Sequence, residues 1–277
     1  MFRTRLADAW RRQDSLLCVG LDPDPARFPH GVARDVHGLE SFCREIIELT
    51  APYVCAFKPQ IAYFAALGAE AALERLCAAI RRDHPHVVLV LDAKRGDIGD
   101  TARRYAVEAY ERYGADAVTV NPWLGTDSLE PFFDYADRGT FVLCRTSNPG
   151  SDEFQARIVD GEPLYVHVAR TAADSWSKRA GVGLVVGATR PTELRDVRNV
   201  VGDMPLLVPG VGAQGGDATS VVTNGATDDG TGLLVNSSRA VLYAAADDGW
   251  REAARSAAMN TRDELNAARR EVTNRSR

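Results

Sequence analysis

The chain has very little lysine. Of its 33 basic side chains only Lys58, Lys94 and Lys178 are lysines, so arginine serves almost wherever a surface cation will do. No C-x-x-C pair occurs. The five cysteines (Cys18, Cys43, Cys55, Cys77, Cys144) are odd in number and scattered through apolar stretches, which argues for small buried hydrophobes in a reducing compartment rather than a disulfide framework. His30, His37, His84, His86 and His167 lack metal-ligand spacing, so no metal site is expected. No apolar run reaches membrane-spanning length and the N-terminus lacks the continuous apolar core of a signal peptide, so the expected address is cytoplasmic, without a membrane partner. Positive charge is not in excess either. A net charge of −5 argues against a nucleic-acid partner, although a local basic pocket could still hold a phosphate.

What is present is a regular alternation. Short apolar runs at 15–21, 53–57, 87–91, 117–120, 140–144, 183–186, 205–208 and 232–235 are separated by stretches of helical period. Eight such strands in 277 residues, with 45% hydrophobic content, fit an α/β fold of the (β/α)8 TIM-barrel type in a single domain over 1–277. A helix at about 2–12 precedes the barrel and a charged amphipathic helix at about 249–268 closes it. A doubly wound open sheet is the competing architecture, but the first strand–helix turn offers no G-x-G-x-x-G. The polar segment 224–230 reads as a surface loop.

Charge arrives abruptly after the third strand. Asp92, Lys94, Arg95 and Asp97 fall within six positions of an all-apolar run, at the strand end where α/β proteins keep their chemistry. Asp92 and Lys94 are two apart and at strand period project to the same side; Asp97 opens the helix expected over 97–113, with Thr101 one turn along. Taken alone, Asp97 reads most simply as a helix cap. The lysines do not read as surface charges, because Lys58 and Lys94 each stand at a strand end in a chain that otherwise writes arginine.

In a barrel the strand ends share one mouth, so Asp22, Lys58, Asp92, Lys94, Ser147, Gln214 and Arg239 become neighbours. Glycines 210, 212, 215 and 216, with Gln214 and Arg239, form a plausible anion cradle after the last two strands. Lysines interleaved with carboxylates stay protonated, which suits a general acid and a stabiliser of developing negative charge better than a Schiff-base nucleophile.

The run LDAKRGDIGDT, with FKP upstream and RTSNPGS, PGVGAQGGD and VNSSR downstream, resembles the orotidine 5′-phosphate decarboxylase family over nearly the whole barrel, in the forms of its longer-chain branch. The resemblance implies a homodimeric, cofactor-free lyase that converts orotidine 5′-monophosphate to UMP and carbon dioxide. Carried onto this chain it implies a charged array of Lys58, Asp92 and Lys94, completed by Asp97 from the second subunit, with Lys94 protonating C6. It further implies ribose contacts from Asp22 and Lys58, and from Thr101 with Asp97 across the interface. Ile98 would lie near C6, Ser147 or its neighbour Thr146 on the pyrimidine, and Gln214 and Arg239 on the phosphate. Three rival readings share parts of this pattern: magnesium-dependent sugar-phosphate relatives, a Schiff-base aldolase, and a non-catalytic nucleotide-binding barrel. Lys58 at a strand end opposes a divalent ion nearby, and no member of the charged array is missing.

Overall fold

The computed structural model describes residues 1–179, 181–212 and 215–275. In chain order its strands are β1 (Leu17–Leu21), β2 (Ala56–Pro59), β3 (Val88–Arg95), β4 (Ala117–Val120), β5 (Gly139–Arg145), β6 (Ile158–Val159), β7 (Glu162–Pro163), β8 (Gly181–Val186), β9 (Leu206–Pro209) and β10 (Leu233–Ser237). β6 and β7 pair antiparallel as a small hairpin. The other eight are parallel and close on themselves in the order β1, β10, β9, β8, β5, β4, β3, β2. Closure runs through β1, whose Cys18 pairs with Asn236 on one side and Ala56 on the other.

These strands carry no hydrophobic alternation because helices cover the outside while side chains fill the inside. Every residue of β1, β2, β4 and β8 is buried. The amino end of the barrel is stoppered by the first helix, Phe2–Gln13. The Phe2 ring packs edge-on to Phe141 and fills the space over Gly139 and Gly181, where a Cβ would come within 2.5 and 2.9 Å of it. Trp10 Nε1 donates to the carbonyl of Leu233 at 2.8 Å. The carboxyl mouth is therefore the end left open for chemistry.

Several elements differ from the sequence expectation, each for a local reason. β3 does not stop at Leu91 but continues to Arg95, which regains pairing with Val120 after an irregularity. The next helix starts at Gly99, two residues beyond Asp97, because Gly99 sits at φ +52°, and it gives way to a π-helical turn over Glu108–Arg112. The long connection after β5 is not bare loop; it holds a 3-10 turn at Pro149–Glu153 and the β6–β7 hairpin, both too short for periodicity to reveal. The C-terminal helix runs from Trp250 to Arg275, past residue 268, since Val272 still packs on the core. In the polar segment 224–230, Asn224 and Gly225 finish the helix Ala218–Gly225. The remainder borders a cavity with Arg3 and Trp10 at the stoppered end, far from the mouth.

Candidate active site

At the mouth the ends of β1, β2, β3, β5, β9 and β10 surround a cavity of about 550 Å³. Its floor is charged. Lys58, the third residue of β2, is 3% exposed, and Asp92 on β3 is 7% exposed. Lys58 Nζ donates to Asp92 Oδ2 at 2.7 Å, while Lys94 Nζ donates to Asp92 Oδ1 at 2.6 Å. One carboxylate thus serves two ammonium groups, one on each oxygen.

The side chains of Asp92 and Lys94 do meet, but not through the strand pleat. Between the Leu91–Val118 and Arg95–Val120 pairings β3 spends three residues where β4 spends one. Within that bulge Lys94 adopts φ +47°, a left-handed backbone that costs a residue with a side chain of order 1 kcal/mol or more. Such strain persists only where the surroundings over-determine it, which is typical of active sites.

Burial opposes the charge on Asp92, but Lys58 and Lys94 outweigh it and hold the carboxyl well below the usual carboxylate range. Burial likewise opposes the charge on Lys58, and Asp92 with Asp22 outweighs it, so its pKa is raised. At an effective dielectric near 20 the Lys58–Asp92 attraction is about 6 kcal/mol before desolvation is set against it. The nearby Cys18 thiol is pushed by burial up to about 12 and stays neutral. Chemistry here therefore rests on ammonium and carboxylate groups.

The remaining walls are polar. Asp22 lines the cavity, and its Oδ1 is buried with no hydrogen-bond partner among the described residues, an acceptor waiting for a donor. Ser147 and Thr146 line it from the end of β5, and Arg239 from the short helix Arg239–Leu242 after β10. Gly210, at φ +108°, brings bare backbone to the wall beside them. Gln214 lies outside the described residues. Asp97, Ile98 and Thr101 are not among the residues lining this chain's cavity. Ile98 is 58% exposed, and Asp97 Oδ1 accepts from the Ile98 amide at 2.8 Å.

Sequence reasoning missed four supporting residues. Thr119 donates its hydroxyl to Asp92 Oδ1 at 2.8 Å. Arg145, 1% exposed, reaches Ser151 Oγ at 2.7 Å and pairs with Asp152, pinning the loop that carries Ser147. Gln155 Oε1 accepts from the Thr146 amide at 2.8 Å and lines the cavity. The Tyr243 hydroxyl accepts from the Asp24 amide and donates to the Asp22 carbonyl, tying the β1 loop to the segment after Arg239. The abrupt charge of RTSNPGSD could have flagged Arg145; the other three carry no sequence signal.

A closed parallel barrel with a lysine–aspartate–lysine centre at its carboxyl mouth, in a cavity also lined by an arginine and a glycine-bearing turn, is the architecture of an α/β-barrel enzyme. The family model described as orotidine 5′-phosphate decarboxylase / HUMPS family matches residues 15–256. The chain belongs to that family. It is 58% identical to an orotidine 5′-phosphate decarboxylase of Bordetella petrii, across 97% of this chain and 99% of that protein. A Janthinobacterium protein of the same name is 56% identical, across 96% of this chain and 98% of its own length. Among solved structures, Leishmania donovani OMP decarboxylase superposes with a TM-score of 0.85 at 40% identity, covering 97% of this chain and 98% of its own.

Proposed function

We propose that this chain is a carboxy-lyase that converts orotidine 5′-monophosphate to UMP and carbon dioxide without a cofactor, and that Lys94 delivers the proton to C6. The observation that carries this reading is the Lys58–Asp92–Lys94 line, with both carboxylate oxygens engaged by ammonium groups. The phosphate would sit against Arg239, Gln214 and the turn at Gly210, the pyrimidine against Ser147 or Thr146, and the ribose against Asp22 and Lys58. The unsatisfied Asp22 oxygen supports the ribose assignment, because a sugar hydroxyl supplies the donor it lacks.

The chemistry then follows from charge. Breaking the bond between C6 and the carboxylate leaves an electron pair on C6 as carbon dioxide departs. The Lys94 ammonium, fixed by Asp92 beside that carbon, stabilises the developing negative charge and transfers one proton to it. The neutral amine left behind regains a proton from solvent, which reaches Lys94 because its side chain is 44% exposed. Phosphate binding remote from C6 contributes energy to holding the reactive geometry.

The working unit in this reading is a homodimer in which Asp97 and Thr101 enter the other subunit's cavity. Their position outside their own cavity supports it, as do the exposed apolar side chains Ile98, Trp123, Leu124 and Phe154 on loops at the same end of the barrel.

The family also spans the HUMPS branch, and magnesium-dependent chemistry is the second reading. It is disfavoured because a divalent ion at Asp92 would have to displace Lys58 or Lys94 from a carboxylate oxygen. The deciding experiment is loss of orotidine monophosphate absorbance with the purified chain in EDTA. Turnover unaffected by EDTA is expected; turnover only on magnesium addition, or none with this substrate, overturns the proposal.

A further inference from the structure

Where β3 spends Asp92, Ala93 and Lys94, β4 spends Thr119 alone. A bulge of this size takes the amides of Ala93 and Lys94 out of the regular ladder, and buried amides need acceptors. Both find the same one: Ala93 N–H and Lys94 N–H each donate to Thr119 Oγ1 at 3.0 Å. That hydroxyl in turn donates to Asp92 Oδ1 at 2.8 Å. A hydroxyl has one proton to give and two lone pairs to offer, so its whole hydrogen-bonding capacity is used on three consecutive residues. With both lone pairs taken by amides, its proton has one direction left, toward the carboxylate.

We infer that Thr119 is a positioning residue of the reaction, holding the left-handed backbone of Lys94 and the side-chain direction of Asp92 with a single hydroxyl. This rests on the reading in which Asp92 and Lys94 act on the substrate. Thr119 is 1% exposed and is not among the residues lining the cavity, so it acts through the other two. The residue type follows from the task. Valine has the same shape and suits a strand, but offers nothing to the two amides or the carboxylate; serine offers the hydroxyl with a freer χ1. Lys94 at φ +47° would otherwise relax toward an ordinary strand conformation and carry its ammonium off Asp92.

The test compares Thr119→Val and Thr119→Ser with the parent chain, by steady-state kinetics, UMP binding and crystal structures of each. For Thr119→Val, kcat should fall about a hundredfold, the scale of an ångström-level misplacement, while UMP affinity stays within about threefold. Its crystal structure should show Lys94 out of the left-handed region or its ammonium detached from Asp92. Thr119→Ser should return kcat to within about fivefold of the parent. Should the valine variant not fold, Thr119→Ala replaces it with the same readouts. The inference is overturned if the hydroxyl-free variant keeps parental kcat, if kcat drops while Lys94 and Asp92 stay in place, or if the serine variant falls as far. If the parent does not turn over orotidine monophosphate, the functional reading fails, and the crystal geometry alone decides what Thr119 holds.

Discussion

Replacing Asp92 with alanine perturbs the centre of the array most severely, because the two ammonium groups share that one carboxylate. Lys58 is the group most affected: its side chain is 4% accessible, it lies 2.7 Å from Asp92, and without that partner it must stay charged in a dry site or give up its proton. Breaking a buried pair by removing one member costs about 3–5 kcal/mol, since the gross attraction of about 6 kcal/mol disappears while desolvation of the survivor remains. Lys94 adds less, because solvent screens its partly exposed ammonium. For chains of 150–250 residues a kcal/mol shifts Tm by about 2–4 °C, so Asp92→Ala should melt roughly 10 °C below the parent. Calorimetry, or thermal denaturation followed by circular dichroism, reads this directly. The double variant Lys58→Met with Asp92→Ala should recover at least half of the loss, because no uncompensated ion is then buried. An Asp92→Ala variant within about 1 kcal/mol of the parent, or two substitutions whose costs simply add, would refute the reasoning.

Mixing Asp97→Ala subunits with Lys94→Ala subunits should restore one working cavity per heterodimer; no recovered turnover in purified heterodimers would sink the shared-site reading. Arg239→Ala should raise KM about 10- to 100-fold, the value of a charge-assisted hydrogen bond, and an unchanged KM would remove Arg239 from the phosphate. The pH dependence has a definite sign. Asp92 is depressed in the folded chain, so its contribution is whole above the unfolded value near 3.9 and drains away as pH falls through the lower folded one. Lys58 is raised, so its contribution is whole below about 10.4 and is lost only as pH climbs through the higher folded value. Urea midpoints should therefore show no Asp92- or Lys58-dependent change from pH 5 to 9, while Asp92→Asn should flatten the acid limb.

The barrel was legible because buried parallel strands are written as short uninterrupted apolar runs, and eight of them recur with helices between. The lysine–aspartate cluster was legible for a related reason: Lys58, Asp92 and Lys94 follow such runs without a polar transition, in a chain that spends lysine almost nowhere else. The bulge was not. Nothing in LDAKRG distinguishes a regular strand from one with Lys94 at φ +47°, because the backbone detour is set by Thr119 on the neighbouring strand. Thr119 itself sits in AVTV, where threonine is an ordinary strand former. Tyr243 and Gln155 escaped because their partners, Asp22, Asp24 and Thr146, are set by tertiary approach rather than by spacing. The polar segment 224–230 lies away from Arg239. The segment precedes β10 and borders the stoppered end, whereas Arg239 follows β10 and lines the mouth.

The most direct test of the central claim is turnover of orotidine monophosphate by Lys94→Ala, measured beside UMP binding to the same protein. If Lys94 protonates C6, turnover falls by about three orders of magnitude or more while UMP still binds, because the missing group acts on the transition state rather than on the bound nucleotide. Turnover within about tenfold of the parent, with UMP binding intact, would contradict that role.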